Sequence, residues 1–171
     1  LRRGLTLSLG TPESLADLAI VLERVGLAAE ALHDLVGALA RYEESLEIRR
    51  GLAASLGTPE SLRDLAPALT RVGDHARGRG DLAGALAAYS EGVEVSRRLA
   101  GKTDLPDDNS QFVWSVCLVA DCMIESSRHD EARTLLLEAE PVASRLSEPT
   151  TLGSDILDTA ATYWGRRARA A

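Results

Sequence analysis

Few side chains in this chain of 171 residues have the type and spacing to do chemistry. The histidines are His33, His75 and His129, and the cysteines are Cys117 and Cys122. A zinc site needs about four converging nitrogen or sulfur donors, supplied as closely spaced pairs. No histidine here is spaced from a cysteine or a carboxylate in that way. Cys117 and Cys122 are five apart in an apolar stretch, so on a helix they point in different directions and do not bridge each other. Reduced thiols in a cytoplasmic protein are the expectation. Ser127, His129 and Asp130 crowd into one turn, whereas a nucleophilic triad converges from separate parts of a fold. No glycine-rich phosphate loop follows a strand-like run. The sequence therefore predicts no catalytic site, no metal and no cofactor, which leaves recognition as the chemistry to explain.

Composition narrows the partners. The net charge is −7, with Lys102 the sole lysine, so a surface that tracks nucleic-acid phosphates is not expected. No apolar run approaches the roughly 20 residues of a membrane span. The hydrophobic share is 45% while aromatics supply only 4%, a core of Leu and Ala that suits close helix packing. The chain does not begin with Met, and the expectation is that it is part of a larger protein.

The elements that must position any binding residue are set by an internal repeat. Residues 2–26 and 49–73 are identical at 19 of 25 positions, an offset of 47 without a gap. The register continues from 34–48 to 81–95, and a diverged third copy keeps the phase through Ala38, Ala85 and Ala132. Each copy carries a first apolar stripe at helical spacing: Leu18, Leu22, Val25, Ala29, then Leu65, Leu69, Val72, Ala76, then Phe112, Val116, Val119, Met123. A second stripe follows in each, such as Leu35, Ala38, Leu39, Tyr42 and Leu46. Thr58-Pro59-Glu60 reads as an N-cap with a first-turn proline and a dipole-favoured acid. Gly57 and Gly101 read as C-caps, and Gly80-Asp81 as the turn inside a pair. Helix pairs are expected at about 12–31 with 34–56, 59–78 with 82–100, and 107–127 with 130–147, then a lone helix at about 150–169. Pro67 should kink its helix or restart it.

The repeat boundaries follow: 1–9 as the end of a preceding repeat, 10–56, 57–103, a diverged 104–148, and a terminal capping helix over 149–171. Arg166 stands at the phase of Val25, Val72 and Val119, as a solvent-facing cap would require.

Leu69-x2-Val72-Gly73-x2-Ala76 followed by Ala85-x3-Tyr89 resembles the tetratricopeptide repeat, and Leu22, Val25, Gly26, Ala29, Ala38 and Tyr42 give the same pattern in the first copy. The 47-residue period resembles the long-helix variants found in kinesin light chains and bacterial signalling arrays. The resemblance implies an all-α, right-handed α-solenoid of antiparallel helix pairs, about seven helices in all. It also implies a concave groove lined by the first helix of each pair. On that face stand Ile20, Glu23, Leu27 and Glu30, then Pro67, Thr70, Asp74 and Arg77, then Trp114, Cys117, Asp121 and Ile124, with Trp164 on the last helix. Gly26 and Gly73 would let two helices approach closely.

The expected function is a non-catalytic protein-interaction scaffold that takes a peptide or partner protein in an acidic groove with aromatic anchors. Glu23, Leu27, Glu30, Thr70, Asp74, Arg77, Trp114, Asp121 and Trp164 are its candidate contact residues. The alternative is a self-assembling structural or sensor module of a bacterial signalling protein, with self-association through near-identical copies.

Overall fold

The computed structural model describes residues 10–146 of the chain. Within them are six helices: α1 (Pro12–Ala31), α2 (Leu35–Leu56), α3 (Pro59–Gly78), α4 (Leu82–Thr103), α5 (Pro106–Glu125) and α6 (His129–Arg145). No strand occurs among the described residues. Residues 1–9, the helix expected near 150–169, and with it Trp164 and Arg166, lie outside them.

Local chemistry starts each helix in the same way one period apart. Thr11 and Thr58 accept the backbone N–H of Ser14 and Ser61, each at 3.3 Å, and Pro12 and Pro59 take the first helical positions. Asp34 and Asp81 accept the N–H of Gly37 and Gly84, each at 2.8 Å, and so cap the second helix of each pair. The turns repeat even where the sequence does not. His33, Gly80 and Ser127, spaced by 47, all adopt left-handed backbone with φ of 60°, 78° and 61°. Gly57 and Asp104, likewise one period apart, do so at 60° and 48°. Asp104, rather than the expected Gly101, therefore ends α4, which runs on through Gly101 to Thr103. The helix phase, not the presence of glycine, sets where the chain turns. α3 is continuous through Pro67, whose ring is exposed, so the helix does not restart there.

Packing runs along the chain, each helix lying mainly against its neighbours in sequence, as in a solenoid built from stacked pairs. Leu15 and Ala19 meet Ile48 and Leu52 between α1 and α2. Leu46 and Ala53 of α2 meet Leu62, Leu65 and Leu69 of α3 and Leu99 of α4. Ala85, Tyr89 and Val93 of α4 meet Phe112, Val116 and Val119 of α5, and Ala139 of α6 joins the same core. Each fully buried leucine of this kind contributes roughly 1.5–3 kcal/mol before chain entropy. Ala38, Ala85 and Ala132 are fully buried at one repeat phase, where a larger side chain would hold the helices of a pair apart.

One expectation is met in two copies and not in the third. The first-helix stripe is buried at Leu65 and Leu69 of α3 and at Phe112, Val116 and Val119 of α5, with Leu65 4% and Phe112 5% exposed, and half-buried at Val72, Ala76 and Met123. In α1 the equivalent Leu18 is 38% exposed, and Val21 and Val25 are exposed beside it. The stripe of α3 is covered by α2 and that of α5 by α4, whereas no described helix precedes α1.

Candidate binding face of the first helices

Helices α1, α3 and α5 stand side by side as the first members of successive pairs, and their shared face is stitched across by charge. From α1 to α3, Arg71 reaches Glu23 at 3.7 Å, and His75 Nε2 lies 2.7 Å from Glu30 Oε1. That nitrogen sits within ion-pair reach but off the line of a hydrogen bond. From α3 to α5, Arg77 Nε donates to Glu125 at 3.1 Å and its guanidinium stands 4.0 Å from Asp121. Nearer the start of these helices, Arg63 forms a two-pronged pair with Asp108, at 3.0 and 2.8 Å. These links join residues 44 to 48 apart, close to one repeat, because equivalent helices lie alongside each other.

The carboxylates expected to line an acidic groove are thus occupied. Glu23 accepts Arg49 Nε at 2.8 Å and the Ser45 hydroxyl at 3.2 Å. Glu30 accepts the Tyr42 hydroxyl at 2.7 Å, and Asp74 accepts that of Tyr89 at 2.6 Å. The Tyr42 hydroxyl holds the Glu30 carboxyl below its usual range, aided by His75. Burial and the bond to Glu30 push the Tyr42 phenol up to about 12, and burial and Asp74 raise that of Tyr89 as well. Both tyrosines therefore remain neutral donors at physiological pH. Burial raises the Asp121 carboxyl, against the pull of Arg77. Arg77 itself is held protonated by its bond to Glu125. Cys117 is half-buried on the same face, and burial, with Asp121, pushes its thiol up to about 11. A thiol so protonated is a poor nucleophile.

What the face leaves uncommitted is apolar. Ile20, Pro67 and Trp114 occupy one repeat phase and all three are exposed, Trp114 at 39%. Leu27 is exposed one turn beyond Glu23. Thr70 is half-buried and turns its hydroxyl back to the Ala66 carbonyl at 3.3 Å. Trp114 comes from α5, whose first turn is fixed by Asp108. That carboxylate is held below its usual range by Arg63 and also accepts the Thr103 hydroxyl at 2.6 Å.

No protein-family model matches the chain, and no curated protein matches it. Among solved structures it is similar to a de novo designed helical repeat protein, at 24% identity and a TM-score of 0.42, over 89% of this chain and 72% of that one.

Sequence reasoning missed the side chains that pair with the candidate residues of this face: Arg49, Arg71, His75 and Glu125. A usable signal was present, namely opposite charges separated by about one period, as in Glu23 with Arg71 and Arg77 with Glu125. Among the described residues no three His, Cys, Asp or Glu side chains are grouped to hold a metal ion. None of the described helices is long and apolar enough to cross a membrane.

Proposed function

We propose that this chain is a protein-interaction scaffold, a long-helix relative of tetratricopeptide arrays, and that it takes an extended peptide or a partner segment along the first-helix face. The observation that carries the reading is the exposed row Ile20, Pro67 and Trp114, three apolar side chains at one repeat phase on three adjacent helices. The core does not use them, and a row of this kind suits a segment with apolar side chains at regular intervals. Trp114 is the expected anchor, because an indole buries a large area while its N–H still finds an acceptor. The surrounding ion pairs link α1, α3 and α5, and Arg71 and Arg77 offset part of the charge of Glu23, Glu30, Asp121 and Glu125. Specificity would then come from apolar spacing, with Asp121 and Arg77 as local polar contacts.

A displayed library of random 12-residue peptides selected on the intact chain tests this directly. Binders should be rich in regularly spaced apolar residues and should quench Trp114 fluorescence in a Trp164→Phe background. Trp114→Ala should weaken them at least about tenfold, or 1.4 kcal/mol, with an unchanged thermal melt. Binders indifferent to both Trp114→Ala and Ile20→Glu would refute the assignment of this face.

A further inference from the structure

The first two copies set a tyrosine against a glycine and end its hydroxyl on a carboxylate. Tyr42 donates to Glu30 at 2.7 Å, and Tyr89 donates to Asp74 at 2.6 Å. In the third copy Ala120 stands for Gly73 and Leu136 for Tyr89, so that donor is gone. The acid stays: Asp121 is the phase equivalent of Asp74. Glu23, Glu30 and Asp74 each accept a hydrogen bond within the chain, whereas no described residue donates one to Asp121. Arg77, its one ion-pair partner among the described residues, stands 4.0 Å away and turns both Nε and Nη2 to Glu125. Asp121 is half-buried, and burial raises its carboxyl. A carboxylate partly desolvated and left without a donor favours a ligand that brings one.

This opening belongs to the repeat phase and does not depend on where the described residues end. Pro67 and Asp74 hold the phases of Trp114 and Asp121 on α3, and both are exposed although α1 and α5 are each tied to that helix. Trp114 and Asp121 lie seven residues apart on α5, which is two turns, about 10 Å along the axis and nearly one line. The charge beside Asp121 is unbalanced. Asp74, Asp121 and Glu125 stand against one guanidinium, that of Arg77, and all four are close enough to bear on the Cys122 thiol.

We infer that Asp121 selects a cation in the partner of the first-helix face. The segment whose apolar side chain rests on Trp114 carries a lysine or arginine next to it, and that side chain runs along α5 to the Asp121 carboxylate. The inference rests on the peptide-binding reading of this face and adds the charge that an apolar row cannot specify. An ammonium or guanidinium gives Asp121 the donor that Tyr89 gives Asp74, with the added strength of a charged pair. An acidic segment of the same apolar spacing meets three carboxylates and is disfavoured. Leu27 holds this phase on α1, so the preference is confined to the part of the segment that lies over α3 and α5.

The test selects displayed random 12-residue peptides in parallel on the intact chain and on Asp121→Asn, Asp121→Lys, Glu140→Gln and Trp114→Ala. Binders of the parent should carry lysine or arginine beside one apolar residue at least about threefold more often than the unselected library. That enrichment should vanish on Asp121→Asn and turn to aspartate and glutamate on Asp121→Lys. It should persist on Glu140→Gln, which removes the same charge from an exposed position of α6. Asp121→Asn keeps the size of the side chain and should melt as the parent does. The best parent binder, followed by anisotropy, should weaken about threefold on Asp121→Asn, and less in high salt. Equal enrichment on the parent and on Asp121→Asn, with binding still lost on Trp114→Ala, would overturn the cation preference and leave the face assigned. Binders indifferent to Trp114→Ala, or no binders at all, would overturn both.

Discussion

Tyr89 fills the space that a side chain on Gly73 would need: a Cβ there would stand 2.9 Å from Tyr89 Cζ and closer still to Cε1. Gly26 and Tyr42 repeat the relationship 47 residues earlier, again with 2.9 Å to Cζ. The ring lies directly against the glycine of the facing helix, and its hydroxyl finds a carboxylate. In the first copy that carboxylate is Glu30, and in the second it is Asp74, one helical turn earlier in phase. The steric relationship is repeated while its polar partner is not.

Gly73→Ala should therefore destabilise the fold by about 1–3 kcal/mol, the usual cost of overpacking a close contact. The helix-propensity gain of alanine, about 1 kcal/mol, offsets only part of the clash. Urea denaturation would show it as a lower midpoint with little change in slope. Pairing Gly73→Ala with Tyr89→Leu should cost less than the two single changes added together, because the clash disappears with the ring.

Two ion pairs that look alike in sequence should differ in weight. Arg49 is 8% exposed and is held by Glu23, with the more open Asp64 behind it. Glu23→Ala leaves that guanidinium nearly buried, and a loss of about 2–3 kcal/mol is expected. The figure lies below that of a wholly buried pair because Asp64 still reaches Arg49. Glu91→Ala removes an exposed partner of Arg50 and should cost no more than about 1 kcal/mol, less again in high salt. Chemical denaturation of the two variants at low and high ionic strength separates them.

Acid should unfasten α5 from α3 through Asp108. Its carboxyl is held below the ordinary value of 3.8 by Arg63, with Thr103 assisting. A depressed folded value means the stabilisation is fully present above the unfolded value and is lost as pH falls through the folded one. Thermal melts of the parent should therefore drop below about pH 4. Asp108→Asn should be less stable at pH 7, by about 1–3 kcal/mol, and lose less on acidification. Parallel acid profiles for the two proteins would contradict this.

The thiols should be inert in the folded protein. Burial pushes Cys117 up to about 11 and raises Cys122, which is fully enclosed. A thiol-reactive dye at pH 7 should label Cys117 slowly and Cys122 only after denaturant is added, as fast labelling requires thiolate and access. Peptide mapping of the labelled chain reads out each site.

Much of the fold could be read from residues alone. Thr58-Pro59, Asp81 and Gly57 mark helix ends by local hydrogen bonding and backbone preference, and those ends fall within a residue or two of where they were expected. Gly101 misled because a helix stops where its packed length ends, and Asp104 accepts the left-handed turn there. Of the two expectations for Pro67, a restart is excluded, since α3 runs through it as one helix. The first-helix face was legible as a set of positions at one phase. Its charge state was not, since pairing depends on which side chain of the next helix stands opposite.

Period and phase, then, belong to the sequence. Caps, apolar stripes and the Gly–Tyr contact are written into each copy and need only local chemistry and the nearest neighbour in the chain. The tertiary structure decided which exposed side chains remain free. Across α1, α3 and α5 it committed Glu23, Glu30 and Asp74 to internal partners and left Ile20, Pro67 and Trp114 open. It also bared Leu18 and Val21 while burying their equivalents in the next two copies. Burial depends on what stacks against a helix, so Leu18 and Leu65, the same residue at the same phase, are exposed in one copy and buried in the next.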